Sequence, residues 1–579
     1  MDRFHHPCLS QLKSYNEAGQ LRMASEHLSG LTETQNTERG VFLENRVSYS
    51  KEFGKHSFSL MGTHTEQKDH GTYQSAVSVG GYDEEPYFWQ ISSSTGSVSS
   101  GGAENNFAMR SWLGRLTYNF NKKYFLTGII RRDGSSRFAP ENRWGTFPSV
   151  SGGWDISREE FFNVPAIRNL KLRVGYGKVG NASVGDYEYT TTMTRKAQGE
   201  DIYNAGVNYN LGPISQSILG ATRSNNLRNR AISWEVLTET NIGLDIEAFE
   251  GQLIVSGDYF FGEMNDLLAA LPVPGTVGAR ERTSSTINAV SMKRNGWEFT
   301  ASYRKLTGEF QYAITANLSH ASNEITEFGY GITDLVSDPE PKTTARIGYP
   351  TGKYYLLEYL GIYTQEEIDA LSEDFEVAGS TPEVGDAKYR DVNGRDEEGN
   401  LTGEPDGKIN YDDRIITGNP IPALHYGLNL DFSYKIFDLT IFLQGVSGRD
   451  VYNSYNGLMT SEYFGNFTNY PSYYNPWIDG EGSDPRPYWD SGHGNNLPST
   501  RFIENGAYLR LKNVQLGINI PVNKLENLRF FLSGQNLLTF TKYRGLDPEF
   551  EGDDIFTPGV DPRDYPSIRT ISLGIDLTF

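Results

Sequence analysis

The sequence predicts an all-β fold, an antiparallel β-barrel that crosses a membrane on strands rather than helices. Three observations carry this. The last ten residues alternate strictly, with Ile571, Leu573, Ile575, Leu577 and Phe579 on one face and Thr570, Ser572, Gly574, Asp576 and Thr578 on the other. A strand of that kind meets lipid on one side and a polar lumen on the other. The same dyad recurs upstream in pairs joined by short turns. Finally, no apolar run approaches the roughly 20 residues that a spanning helix requires, so any crossing must be made by strands.

Along the chain, residues 1–39 read as a residual loop or frayed segment, and strands begin near Val41. Ile242, Leu244, Ile246 and Ala248 alternate with Asn241, Gly243, Asp245 and Glu247; a tight Phe249-Glu250-Gly251 turn leads into Leu253, Val255, Tyr259 and Phe261. Phe299, Ala301 and Tyr303 pass through Leu306-Thr307-Gly308 into Phe310, Tyr312, Ile314, Ala316 and Leu318. Leu424 to Tyr434 turns at Lys435 into Leu439, Ile441 and Leu443, and Val514 to Ile520 turns through Pro521 into Phe530 and Leu532. This gives about 15 strands of roughly ten residues, the length a tilted strand needs to cross hydrocarbon. With the C-terminus in the periplasm, the turns at 121–123, 249–251, 305–309, 435–438 and 521–527 all fall on the periplasmic side and are short. The connections at 67–107, 180–238, 262–293, 322–422, 447–507 and 538–569 fall outside and are long, the asymmetry of outer-membrane barrels. Phe120, Tyr124, Phe437 and Phe579, at strand ends, suit an interfacial aromatic girdle.

Composition agrees. The 579 residues contain no Pro-rich or Ser-rich linker, and Tyr (35), Phe (31) and Gly (61) are abundant. A net charge of −21 disfavours nucleic acid, whose phosphates would be repelled. The single Cys8 excludes an internal disulfide. Gly175-Tyr176-Gly177-Lys178-Val179-Gly180 fits a dinucleotide fingerprint in letters, but no helical pattern comes after it. His5 and His6 have no partner at ligand spacing, and no nucleophile elbow, paired-Cys zinc motif or P-loop occurs, so the chain presents no catalytic case and requires no cofactor.

Five ordered segments, Arg131 to Trp154, Asn169 to Asn181, Ser233 to Asp245, Gly506 to Gly517 and Gly534 to Glu549, resemble the SusC/RagA family of TonB-linked outer-membrane transporters of Bacteroidetes. The resemblance runs from about Val41 to the C-terminus. It implies a 22-stranded barrel with an N-terminal plug, import of oligosaccharides or peptides, a SusD-like surface lipoprotein as lid, energy from TonB-ExbB-ExbD, and insertion into outer-membrane lipid by the barrel assembly machinery. Met1-Asp2-Arg3 opens without a signal-peptide pattern, and no plug or TonB-box is recognisable. The expectation is therefore a partial barrel, residues 40–579 supplying about 15 of the 22 strands that such a wide lumen takes. The alternatives are a passive porin or non-functional barrel fragment, and a secreted all-β glycan-binding protein.

Two loop sites stand out. Asp391, Asn393, Asp406 and Asp413 lie in D-V-N-G and D-G-K-I-N-Y-D-D, halves of a calcium-loop pattern split by Arg395 to Pro405. A structural calcium and a solvated acidic turn both fit, because Asp, Gly and Asn also build ordinary turns. The stretch 452–489 is rich in aromatics, among them Tyr463, Tyr470, Tyr473, Tyr474, Trp477 and Trp489. Their rings suit stacking on a ligand or partner, and equally packing of the loop on itself. Phe579 is the expected assembly signal.

Overall fold

A computed structural model describes residues 30–79, 90–93, 97–190, 229–272, 284–337, 341–396, 401–460, 471–487, 494–522, 525–550, 552 and 556–579, with short strand pieces at 14–15, 21–22, 193–195, 208–210 and 220–223. Its body is one antiparallel sheet of 15 strands, paired almost throughout with the next strand in sequence. They are β1 (Gly30–Phe53), β2 (His56–Val79), β3 (Ser97–Phe120), β4 (Tyr124–Ser135), β5 (Trp144–Asp155), β6 (Ile167–Asn181), β7 (Glu235–Ala248), β8 (Leu253–Pro272), β9 (Ser284–Lys305), β10 (Phe310–Phe328), β11 (Leu424–Tyr434), β12 (Phe437–Ser447), β13 (Tyr508–Asn519), β14 (Asn527–Thr541) and β15 (Thr570–Thr578). Among the described residues, β1 pairs only with β2 and β15 only with β14, so the meander has two edges.

The expected strand count holds, but several strands run well past their expected ends. The chain enters the sheet at Gly30 rather than 40, and β2 and β3 occupy most of the stretch 67–107 expected to be a loop. Likewise β8 and β9 extend into 262–293, leaving only 273–283 between them. The reason is physical. Hydrophobic alternation marks a strand only where one face meets lipid; beyond that level both faces meet water, and a ladder can continue through Glu66, Lys68, Asp69 and His70 with no apolar signal. Gly175 to Gly180 is strand throughout, paired with β7.

The short turns gather at one end of the sheet. Gly54-Lys55 closes β1 and β2, and Gly54 has φ 58°, a conformation that glycine takes without Cβ strain. Asn121 and Lys122 between β3 and β4 also have positive φ, and the Asn119 side chain accepts the Lys122 amide at 2.8 Å. Three connections escaped the sequence reading, an outer one at 136–143 and short-turn-end ones at 54–55 and 156–166. By the rule that such barrels carry their short turns on the periplasmic side, this end faces the periplasm.

The two faces differ in kind. Val41, Leu60, Trp112, Leu126, Ile130, Val150, Ile242, Leu244, Leu516 and Leu532 are exposed large apolar side chains on one face. The other carries ion pairs. Leu428, opposite Ala316 and Leu443, sits on the apolar face, whereas Asn429 neighbours the Asp431 side chain that accepts Thr440 Oγ1. Leu428→Arg should therefore lower stability by about 2–4 kcal/mol near the bilayer midplane, while Asn429→Arg is tolerated. Heat-modifiable gel mobility across a denaturant series checks this, and equal costs at both positions would reverse the face assignment.

Candidate functional site

The inner face and outer mouth carry the chemistry. On the inner face, strand alternation brings Arg173 of β6, Asp245 of β7 and Asp258 of β8 together across three neighbouring strands. The guanidinium donates to Asp245 at 2.7 and 2.9 Å and to Asp258 at 2.9 Å through each of two nitrogens. Gly243 lies between them because a Cβ there would meet the Arg173 guanidinium at 2.6 Å. Near the short-turn end Arg529 bridges Asp438 at 2.5 and 3.0 Å and Asp576 at 3.2 Å. The face is thus polar and ion-paired, and in both clusters one guanidinium is shared by two carboxylates, which leaves a net negative charge.

At the opposite end, the connections 329–423, 448–507 and 542–569 fold onto one another. Tyr354 is fully buried; its hydroxyl lies 2.8 Å from the Gly559 carbonyl and 3.0 Å from that of Asp450, and accepts the Tyr452 amide at 3.1 Å. Burial raises its pKa. Arg449, also buried, donates to the carbonyls of Pro420, Pro548, Phe550 and Pro558 and stacks on the Phe550 ring at 4.5 Å. One side chain so satisfies backbone acceptors of two separate connections. Below it, Arg510 and Lys512 of β13 reach the descending loop: Arg510 pairs with Asp547 and, at 2.5 Å, with Glu549, and Lys512 pairs with Glu549 at 2.6 Å. Farther out, Asp386 is fully buried between Arg486 (2.6 Å) and the Asn495 amide (3.0 Å). Among the described residues, these connections are tied to one another by buried side chains.

The expected cation loop is brought together, but by its own backbone. Asp391 accepts the amides of Asp406 (3.2 Å) and Gly407 (2.8 Å). Asp413 accepts those of Val392 (2.9 Å), Asn393 (3.1 Å) and Asn410 (2.8 Å). The Asn393 side-chain oxygen takes the Gly403 amide at 2.7 Å, Asp406 takes that of Lys408 at 2.9 Å, and Arg395 clamps Asp412. Among the described residues, no three acidic, His or Cys side chains converge on one point. Among the described residues, the side-chain oxygens of Asp391, Asn393, Asp406 and Asp413 are directed at backbone N–H groups. Burial raises the Asp413 pKa, against the pull of the three amides. Asp413→Ala, which strips three amides of their acceptor at a cost of about 1–3 kcal/mol, should speed tryptic cleavage after Arg390 and Arg395. A chelator should leave the wild-type cleavage rate unchanged; a chelator-dependent rise would restore the cation reading.

A family model described as "TonB dependent receptor-like, beta-barrel" matches residues 9–396. TonB-dependent receptor P26 of Formosa agariphila is 31% identical over 94% of this chain. The chain belongs to the TonB-dependent receptor-like β-barrel family. TonB-dependent receptor SusC of Bacteroides thetaiotaomicron is 26% identical over 92% of the chain, and the structure of the RagAB peptide transporter superposes with a TM-score of 0.75 over 96% of it, at 23% identity. The chain spans about half the length of the curated relatives, 54% of P26 and 49% of SusC, and 57% of the matched RagAB chain. As a member of this family it is an outer-membrane protein, and its relatives are receptors and transporters rather than enzymes.

In this TonB-dependent receptor barrel, the described members of the aromatic loop pack inward. Tyr473 is half-buried, covered by Arg544 at 4.6 Å, with its hydroxyl 3.3 Å from the Asn456 side chain. Tyr474 reaches the Pro485 carbonyl at 3.4 Å, and Trp477 lies over Gly385, where a Cβ would meet its ring at 2.5 Å. Tyr463, Tyr470 and Trp489 lie outside the described residues. Phe579 is exposed at the end of β15. Sequence reasoning missed Arg449, Arg510, Lys512, Asp547 and Glu549. Only Arg510 and Lys512 left a trace, as charges alternating with Leu509 and Leu511.

Proposed function

We propose that this chain supplies barrel wall and outer mouth to a TonB-dependent importer of oligosaccharides or peptides. The observation that carries the reading is the 15-stranded meander with one exposed apolar face and one ion-paired face, capped by interlocked outer connections. The likeness to P26, SusC and RagAB supports it. In this proposal a SusD-like lipoprotein seats on the outer mouth, TonB-ExbB-ExbD drives a plug of the whole receptor, and the lumenal wall offers hydrogen-bonding, carboxylate-rich polar groups to a polar solute.

The test expresses the chain within its native reading frame in an outer-membrane host, with and without TonB, and measures uptake of a fluorescent peptide library and of a labelled oligosaccharide mixture. TonB-dependent accumulation of one pool and not the other assigns the substrate class. Uptake that is indifferent to TonB makes the protein a passive pore, and no uptake of either pool refutes the import reading.

A further inference from the structure

The connection at 156–166, at the short-turn end, folds back against the apolar face through the contacts of Glu159 with Tyr124 and Trp154. Its geometry starts at Trp154. That residue pairs with Tyr124 and with Leu172, in line with Leu126 and Ile130 on the exposed apolar face, so its indole belongs to the lipid-facing side. Immediately after it, Ile156–Arg158 forms a single helical turn that carries the chain back over this face.

Glu159 then closes a compact cluster. Its carboxylate accepts the Tyr124 hydroxyl at 2.6 Å, the Trp154 indole N–H at 3.1 Å and the Lys123 ammonium at 3.0 Å. Tyr and Trp at a membrane interface ordinarily direct these polar tips at water and headgroups. Here both tips are satisfied from within, and the Lys123 charge is balanced. These internal partners offset part of the cost of withdrawing water from the cluster.

Past Glu159 and the exposed Glu160 the connection is largely apolar and uncovered, with only Asn163 polar among residues 161–166. Phe161 is 70% exposed, with its ring edge-on to Trp154 at 6.4 Å, and Val164 is 44% exposed, with exposed Pro165 and Ala166 after it. Burying such an aromatic takes apolar surface out of water, which is favourable in proportion to the area covered. The patch is continuous with the lipid-facing wall through Trp154 and Tyr124, and it is flanked by two exposed guanidinium groups, Arg158 beside Asp155 and Arg168 beside Glu247. Each guanidinium is paired with a carboxylate and the exposed Glu160 lies beside Phe161, so the rim is close to charge-balanced, and apolar side chains set within it suit the headgroup boundary of a phospholipid monolayer with acyl chains beneath.

We propose that residues 156–166 form a membrane-interface anchor, with Phe161 and Val164 inserted among phospholipid acyl chains of the periplasmic leaflet and Arg158 and Arg168 at the level of the phosphates. The anchor holds the barrel at a fixed depth by packing outward. It rests on the outer-membrane assignment and adds a lipid contact to it.

The test places single spin labels by cysteine substitution in a Cys8→Ser background, the native chain having one Cys. Labels at Phe161, Val164, Leu126 and Glu250 are compared in phosphatidylethanolamine/phosphatidylglycerol vesicles for collision with dissolved oxygen, which concentrates in lipid, and with a water-soluble nickel chelate. The expected result is several-fold oxygen preference at 161, 164 and 126 and nickel preference at 250. Nickel preference at both 161 and 164, with Leu126 still in lipid, overturns the anchor alone. Nickel preference at Leu126 overturns the membrane placement and the anchor with it. Should Phe161→Cys fail to fold, Val164→Cys decides by the same criterion.

Discussion

Arg510→Met should cost about 3–5 kcal/mol and release the connection 542–569 from the mouth. Arg510 is 3% exposed and is the hub of a charge cluster: it donates to Asp547, to Glu549 at 2.5 Å, to the Thr539 hydroxyl at 2.9 Å and to the Ser567 hydroxyl at 3.1 Å. Methionine fills similar volume, so the substitution isolates the charge. It leaves two carboxylates facing one remaining cation, Lys512, in a partly dry pocket. A buried ion is costly chiefly when its partner is taken away. Replacing the cluster as a set, with Asp547→Asn and Glu549→Gln added to Arg510→Met, should therefore recover most of the loss. Two measurements check this: the midpoint of the heat-modifiable gel shift, and tryptic cleavage after Lys542, Arg544 and Arg563. If the triple variant is less stable than Arg510→Met, the cost comes from packing or hydrogen bonds and the charge argument fails.

The barrel was legible because lipid imposes a pattern on the sequence. Along the last strand, every second residue from Ile571 to Phe579 is apolar, since each faces hydrocarbon, and the same rule located β7, β8, β9, β10, β11, β12, β13 and β14. The rule falls silent where both faces are wet, and so the outer halves of β2 and β3 passed for a loop. The mouth was illegible for a different reason. Tyr354 binds carbonyls 96 and 205 residues away, and Arg449 reaches carbonyls 99 to 109 residues ahead, so neither side chain stands in any local pattern with its partners. The loop at 391–413 shows a third case. There the letters were right and the residues do meet, but an Asp–Gly–Asn string can aim its oxygens at a cation or at its own amides, and only the backbone path decides between them.

The larger expected effect belongs to the other end of the chain. Deleting residues 570–579 should reduce outer-membrane abundance close to background. β15 is held to β14 by a register of nine residue pairs, from Asn527 opposite Thr578 to Gln535 opposite Thr570, reinforced by the Arg529–Asp576 pair at 3.2 Å. Removing it bares the β14 ladder. Each backbone group left unpaired in hydrocarbon costs several kcal/mol, which outweighs the 5–15 kcal/mol of net stability typical of a folded domain. Phe579→Asp separates this edge effect from recognition of the last residue, because it leaves the nine-pair ladder intact. If the exposed Phe579 ring is read during assembly, both variants are lost from the membrane fraction while the wild type is retained. If the terminal strand matters only as a covered edge, Phe579→Asp accumulates normally and the deletion does not. Normal abundance of the deletion, measured by immunoblot of separated outer membranes with heat-modifiability as the folding control, would mean that β14 finds its partner elsewhere and that β15 is not part of the wall.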